Sequence, residues 1–375
     1  MATTSAAQPE TTAPQAKAKS KKSDKPRVLW VDAAKGLCIL LVVLGHSVTE
    51  MGGHGYDTKF WTEFNFFLGP IRMPLFFLLS GLFAGKALAE SWEKLANRRI
   101  WVMVWLYVIW VPAREIALGL LPGSRVGVLG ITRRPTLWDP QTWPSAAYNT
   151  LHAAVEPTSY LWFLWALALF AILTKATRHI HPVVQIIIAA LINVYEPFAG
   201  TSWSWDFVSK MYVFYLLGIY GAPWLFRMVH RRKGAFLAVA LGLYLAVATY
   251  ILMTYPSFNA GNVGYTRLFL SITGVLAAVN IMAIVQNYSF ARPFEALGKR
   301  TLPIFLMHIP MLKVVALTCD NILPADPGMY IMIPLTTVLA ALMCLGAQKI
   351  LISIGAGWLF KRPAWFVRMT TPKSV

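Results

Sequence analysis

Residues 27–48, RVLWVDAAKGLCILLVVLGHSV, are apolar enough to cross a bilayer as one helix, yet they carry Asp32, Lys35 and His46. Ionisable side chains in hydrocarbon are costly, so they persist mainly where they face a polar cavity inside a helix bundle. At about 100° per residue, the step from Lys35 to His46 comes to three turns plus about 20°, which puts both on one stripe. A rise of about 1.5 Å per residue separates them by roughly 16 Å, about half of a ~30 Å hydrocarbon core. Asp32, about 40° from the His46 direction, lies one turn before Lys35 and can pair with it. The plainer reading makes Asp32 and Lys35 interfacial charges and His46 a hydrogen-bonded packing residue.

Composition excludes a water-soluble globule: of 375 residues 57% are hydrophobic and only 13% charged, and mean hydropathy is +0.55. The formal charge of +18 does not point to nucleic acid, because the basic residues sit in short segments between apolar runs and read as topology signals. Cys38, Cys319 and Cys344 are far apart and form no CxxC pair or metal-ligand cluster, so neither a metal site nor an essential disulfide is expected. Residues 1–26, rich in Ala, Thr, Ser, Pro and Lys, read as a disordered basic cytoplasmic tail without a cleavable signal. Residues 27–358 read as the membrane domain and 359–375 as a short basic cytoplasmic tail.

The apolar pattern predicts an all-α, polytopic membrane helix bundle of about ten spans, at residues 27–48, 65–87, 100–121, 159–176, 182–195, 206–226, 234–254, 263–286, 300–318 and 329–354. A polar link follows the first span. Pro70 and Pro74 predict an irregular or kinked start to the second, and residues 122–158 read as a loop with pieces at the membrane surface. Lys and Arg gather in the tail and after the second, fourth, sixth, eighth and tenth spans. The long third loop, with Arg125, Arg133 and Arg134, is the exception to that alternation, and both termini are expected to be cytoplasmic. Lys35 then lies toward the cytoplasm and His46 toward the outer leaflet. Arg72, Arg114, Glu115, Glu196, Lys210, Arg267 and Lys313 fall at outer depth. They could snorkel to the interface one by one, but so many on separate spans suggest a shared outward-facing polar cavity. Trp203, Trp205, Tyr212 and Tyr265 beside them would suit a sugar, although such residues also mark ordinary membrane interfaces.

These motifs resemble acyltransferase family 3, the integral-membrane O-acyltransferases, and within it the fucose 4-O-acetylase-like and polysaccharide O-acetyltransferase members. The pieces that carry the resemblance are VDAAKGLCILLVVLGHS, RMPLFFLLSGLF, NRRI, YLWFLWALALF and LGKRTLPIFLMHIPML. The most specific are the basic residue eleven positions before a histidine and the phenylalanine-rich Ser-Gly motif. The resemblance implies a ten-span bundle in the bacterial cytoplasmic (inner) membrane, acyl-CoA (usually acetyl-CoA) as cytoplasmic donor, and a carbohydrate hydroxyl on the outer side as acceptor. It also implies polysaccharide-biosynthesis proteins as partners. The essential histidine of such proteins falls on His46 and its basic companion on Lys35. Many relatives have arginine there; lysine keeps the charge but loses bidentate recognition. The third-span arginines fall on Arg98 and Arg99, and the Ser-Gly motif on Ser80 and Gly81. With no hydrolase-like domain after the last span, the transfer is expected to be completed within the bundle.

Acyl transfer to a hydroxyl needs a base, and neutral imidazole, with an unperturbed pKa of about 6.5, suits that task. His46 is the candidate. The partner for its other ring nitrogen must come from another span, which the sequence does not identify. Lys35, Arg98 and Arg99 are expected at the cytoplasmic mouth against the phosphates of coenzyme A, although the two arginines read equally well as topology determinants. Arg72, Ser80, Arg114, Glu115, Lys210, Arg267 and His308 are the candidate substrate-binding residues. Ser80 reads as a packing or lining residue without a nucleophile elbow. His308, beside Pro310, either lines the channel or satisfies a packing hydrogen bond. Intramembrane charges and broken helices also suit a transporter or flippase for a glycan or small polar solute, the alternative reading, although no internal hydropathy repeat accompanies them.

Overall fold

The computed structural model describes residues 28–121, 142–157, 160–198, 202–231, 233–254, 264–322 and 329–371. The tail expected over residues 1–26, and Arg125, Arg133 and Arg134 of the long third loop, lie outside the described residues. Every described regular element is a helix. In chain order they are α1 (Leu29–Gly53), α2 (Lys59–Gly81), α3 (Gly85–Ala89), α4 (Trp92–Leu95), α5 (Trp101–Gly119), α6 (Thr142–His152), α7 (Trp162–Ala176), α8 (Pro182–Tyr195) and α9 (Trp203–Tyr220). They continue with α10 (Ala222–Arg231), α11 (Lys233–Thr254), α12 (Gly264–Val285), α13 (Arg292–Gly298), α14 (Thr301–Ile322), α15 (Met329–Ser353) and α16 (Ala364–Thr370). A π-helical turn, Ala96–Ile100, joins α4 to α5.

The chain is an all-α polytopic membrane protein. Seven described helical segments are long and apolar enough to cross a membrane, or eight if α9 and α10 together count as one span. The remaining two of the ten expected spans are α7 and α8, of 15 and 14 residues. At about 1.5 Å per residue neither reaches much beyond ~22 Å, short of a ~30 Å core. The sixth expected span, 206–226, is also shorter than expected, because the chain bends by 68° after Tyr220. Beyond the bend α10 is amphipathic: Leu225, Met228 and Val229 are buried while Arg227 and Arg231 are exposed. Such a helix favours the membrane surface over its interior.

Two other expectations change. The polar link after the first span is in part helix, since α1 runs on to Gly53. Its added turn is held by Glu50, which pairs with Lys313 of α14 at 3.1 Å. The second span does not start irregularly, because α2 is one helix with Pro70 and Pro74 inside it. Carbonyls near the prolines gain partners from other helices: Tyr244 donates to Phe67 O and the Cys38 thiol to Arg72 O at 2.8 Å. That is how a proline-containing membrane helix keeps its backbone satisfied.

At the centre lies α1, packed by α2, α12, α13, α14 and α15. Its Trp30, Val31, Cys38, Ile39 and Val43 are buried. Gly36 and Gly298 let α13 press onto its first turns, because a Cβ on either would overlap a backbone carbonyl, of Phe294 and Asp32 respectively. Between α2 and α7, Phe77 meets Trp162, Phe163 and Phe170 at ring separations of 4.8–5.5 Å. The phenylalanine-rich motif and the WFLW run therefore form one aromatic core. After α15 the chain folds back onto α5. Arg362 donates to the side chain and carbonyl of Asn97 at 2.9 and 2.7 Å, and Trp105 packs against Trp365 and Phe366.

Candidate active site

His46 lies on the inward face of α1 between the buried Gly45 and Ser47, and is itself half-buried. His308 of α14 is fully buried beside it, with ring centroids 5.1 Å apart and planes tilted by 47°. Nδ1 of His308 lies 2.8 Å from Phe305 O and 3.1 Å from Ile304 O. A carbonyl can only accept, so Nδ1 carries the hydrogen, and in the neutral ring Nε2 holds the lone pair. That Nε2 is buried without a hydrogen-bond partner among the described residues. The two readings left open for His308 both hold in part: one ring nitrogen is satisfied by packing, the other is not.

Arg72 reaches the same place from α2. Its guanidinium lies against Gly45, where a Cβ would overlap it, and Nη1 donates to Asn65 Oδ1 at 2.7 Å. On the other side of His308 stands Tyr160, in an edge-on contact at 4.7 Å. Its hydroxyl donates to Leu306 O at 2.8 Å. Arg114 lies 6.0 Å from the Tyr160 ring and pairs with Glu115. His46, His308, Arg72, Arg114 and Glu115 are thus brought into one contiguous group, with Tyr160 joining its two halves. Tyr160 was not singled out from the sequence; nothing in an apolar run such as YLWFLW distinguishes it.

The other outer-depth residues form two further groups instead of one shared set. On α8, α9 and α12, Glu196 pairs with Arg267, and with Lys210 at 3.2 Å, while Lys210 also reaches Asp206 at 2.6 Å. Glu196 caps α8 in a left-handed conformation, φ 49°. Burial alone would raise its carboxyl, but the two cations outweigh that and hold it below its usual range. Lys210 and Arg267 therefore serve this network. Past the end of α1, His54 lies 2.5 Å from Asp320, 3.3 Å from Glu50 and 3.4 Å from Lys313. The i+4 steps from His46 to Glu50 and on to His54 carry one polar stripe up to this cluster.

At the other end of the stripe, Lys35 Nζ lies 5.5 Å above the Phe83 ring, and Arg99 Nη2 donates to Phe83 O at 2.6 Å. The structure thus gathers Lys35 and Arg99 around one residue. Arg98, its side chain exposed, pairs with Glu90. Both arginines sit on the π-helical turn, a distortion that is frequent at functional sites. Nearby, buried Lys175 donates to Leu88 O at 2.8 Å and to Glu90 O. Ser80 is half-buried and donates back to Phe76 O at 2.8 Å, while Gly81 lies where α2 meets the Tyr215 carbonyl of α9.

Comparison with known families identifies the domain that holds this arrangement. The acyltransferase family 3 model, described as an acyltransferase domain, matches residues 28–362. The chain belongs to that family. Its match begins at the cap of α1 and ends at Arg362, so it takes in both histidines, Arg72 and the π-helical turn. The chain is also similar to Inner membrane protein YcfT of Escherichia coli (strain K12), with 25% identity over 320 residues, 78% of this chain and 82% of the relative. No solved structure matches it. As an acyltransferase family 3 member, the chain is a membrane acyltransferase and a multi-pass protein of the inner membrane.

Proposed function

We infer that the chain transfers an acyl group, acetyl in the first instance, from cytoplasmic acyl-CoA to a hydroxyl of an extracytoplasmic or membrane-linked carbohydrate. What carries this reading is the pair of imidazoles at 5.1 Å deep in the bundle, one of them with its tautomer fixed by backbone carbonyls. Both termini lie in the cytoplasm on this reading, with Lys35 and Arg99 at the donor mouth and His46 toward the outer leaflet.

His46 takes the proton of the attacking hydroxyl as its oxygen bonds to the thioester carbon. The carbonyl becomes an oxyanion beside the Arg72 guanidinium, which lies against Gly45 next to His46. When the C–S bond breaks, the thiolate recovers the proton from His46, leaving an ester and coenzyme A thiol. His308 is a positioning residue: its Nε2 lone pair, unpartnered among the described residues, would accept from an N–H of His46 when the rings close up, leaving the other nitrogen of His46 free to act as base. The pantetheine arm follows the Lys35–His46 stripe, so the acyl group crosses while the nucleotide stays at the mouth, its phosphates against Lys35 and Arg99.

The test is transfer of radiolabelled acetyl from acetyl-CoA to a glycan by the purified protein in lipid. Product formation that is lost in a folded His46→Ala protein supports the reading. Translocation of a solute without covalent product would overturn it in favour of a transporter.

A further inference from the structure

Away from the histidines, a groove of about 580 Å3 opens between α1, α13 and α15, within the ~300–1,000 Å3 range of ligand sites. Its walls are apolar, with Leu40 from α1, Leu297 from α13, and Ala341 and Leu345 from α15. Leu40 lies five positions beyond Lys35, about 140° around the helix, so the groove faces away from the Lys35–His46 stripe. On its α15 wall, Val338 and Leu342 are 49% and 58% exposed. On a spanning helix, exposed apolar side chains of this kind face lipid. The groove therefore opens to the bilayer.

Its mouth is charged. Lys299 and Arg300 line it, both exposed, and neither makes an ion pair or side-chain hydrogen bond among the described residues, Glu295 one turn back included. Directly after them begins α14, 22 residues long, whose first backbone N–H groups have no intrahelical partner. Two unpaired cations and a helix N-terminus above an apolar trough fit a molecule with a phosphate at one end and a hydrocarbon chain at the other. Basic pockets between membrane helices hold anionic lipid head groups in this way.

We propose that this groove is a binding site for an anionic phospholipid, its phosphate held by Lys299 and Arg300 and one acyl chain laid along Leu40, Ala341 and Leu345. The lipid comes from the leaflet at the Asp32 end of α1, the cytoplasmic leaflet on the orientation proposed above. Because α13 also packs on the first turns of α1, the bound lipid would brace the helix that carries His46.

Lipid retention by the full-length protein tests this without any acyl-transfer assay, so the two readings can fail separately. Delipidated protein is titrated with phosphatidylglycerol and with phosphatidylcholine of the same chains, and bound lipid is counted by native mass spectrometry. Phosphatidylglycerol should bind at least roughly tenfold more tightly, and the double variant Lys299→Gln/Arg300→Gln should reduce it to the phosphatidylcholine level. Leu345→Trp should displace the lipid while both cations remain. If Leu345→Trp fails to fold, the double variant alone decides. Equal retention of the two lipids, unchanged binding in the double variant, or competitive displacement by acetyl-CoA would each overturn the proposal, the last by making the groove a donor mouth.

Discussion

The imidazoles of His46 and His308 lie 5.1 Å apart, although 262 positions separate them in the chain. If His46 is the base, His46→Ala should lower the transfer rate by about 10²–10⁴-fold, the usual contribution of a general base. His308→Ala should lower kcat while leaving KM for the acyl donor unchanged. His308→Gln should recover part of the loss, since its amide oxygen can still accept from His46. A steady-state comparison of the variants, together with the pH profile of kcat, checks this: a merely structural His308 would not change the shape of that profile.

Arg72 owes its place to the missing side chain at Gly45. The atoms that a Cβ would meet there belong to the end of a flexible side chain, so Gly45→Ala should fold and push the guanidinium aside. Misplacing a catalytic group by ~1 Å can cost about 10²-fold. A fall of roughly tenfold or more in kcat, with an unchanged thermal midpoint, is the expected outcome.

Arg98 and Arg99 are neighbours in sequence with different surroundings. Arg98 pairs with Glu90 on an exposed surface, a kind of pair typically worth only about 0–1 kcal/mol. Arg99 meets Lys35 at Phe83. Arg99→Gln and Lys35→Gln should each raise KM for acyl-CoA several-fold with little change in kcat, whereas Arg98→Gln should leave both near the wild-type values. Kinetics at varied acyl-CoA concentration separates the two outcomes.

Much of this site was legible because it depends on one helical period. The Lys35-to-His46 step needs only the local geometry of α1, and the same period extended by two i+4 steps would have found Glu50 and His54. The polar residues and paired glycines after Val48 read as a link because what holds the extra turn, Lys313 and Asp320, comes from α14. Partners from distant helices leave no spacing to read. The same holds for Tyr160, whose hydroxyl is satisfied by Leu306 O, and for the division of the outer charges into separate groups. The spans themselves were visible as apolar runs, but the bend after Tyr220 was not: the apolar residues of α10 continue the run, and only their arrangement on one face betrays a surface helix.

His54 gives the site's outer end a pH dependence. It lies just beyond α1, facing Glu50 on its own helix and Asp320 and Lys313 on α14, and Asp320 also interacts with Tyr56. The hydrogen bond to Glu50 raises its pKa above the usual imidazole value; burial opposes that shift, Asp320 adds to it, and Lys313 works against it. A group that binds its proton more tightly when folded stabilises the fold fully below its unfolded pKa, and that contribution is lost as pH rises through the folded value. The window therefore lies above about 6.5, the ordinary histidine value. Thermal unfolding in detergent across that window should show the wild-type midpoint falling with pH by more than that of His54→Gln, with the two curves converging on the alkaline side. A His54→Gln curve parallel to the wild type throughout would show that the proton on His54 does not hold Glu50 and Asp320 together.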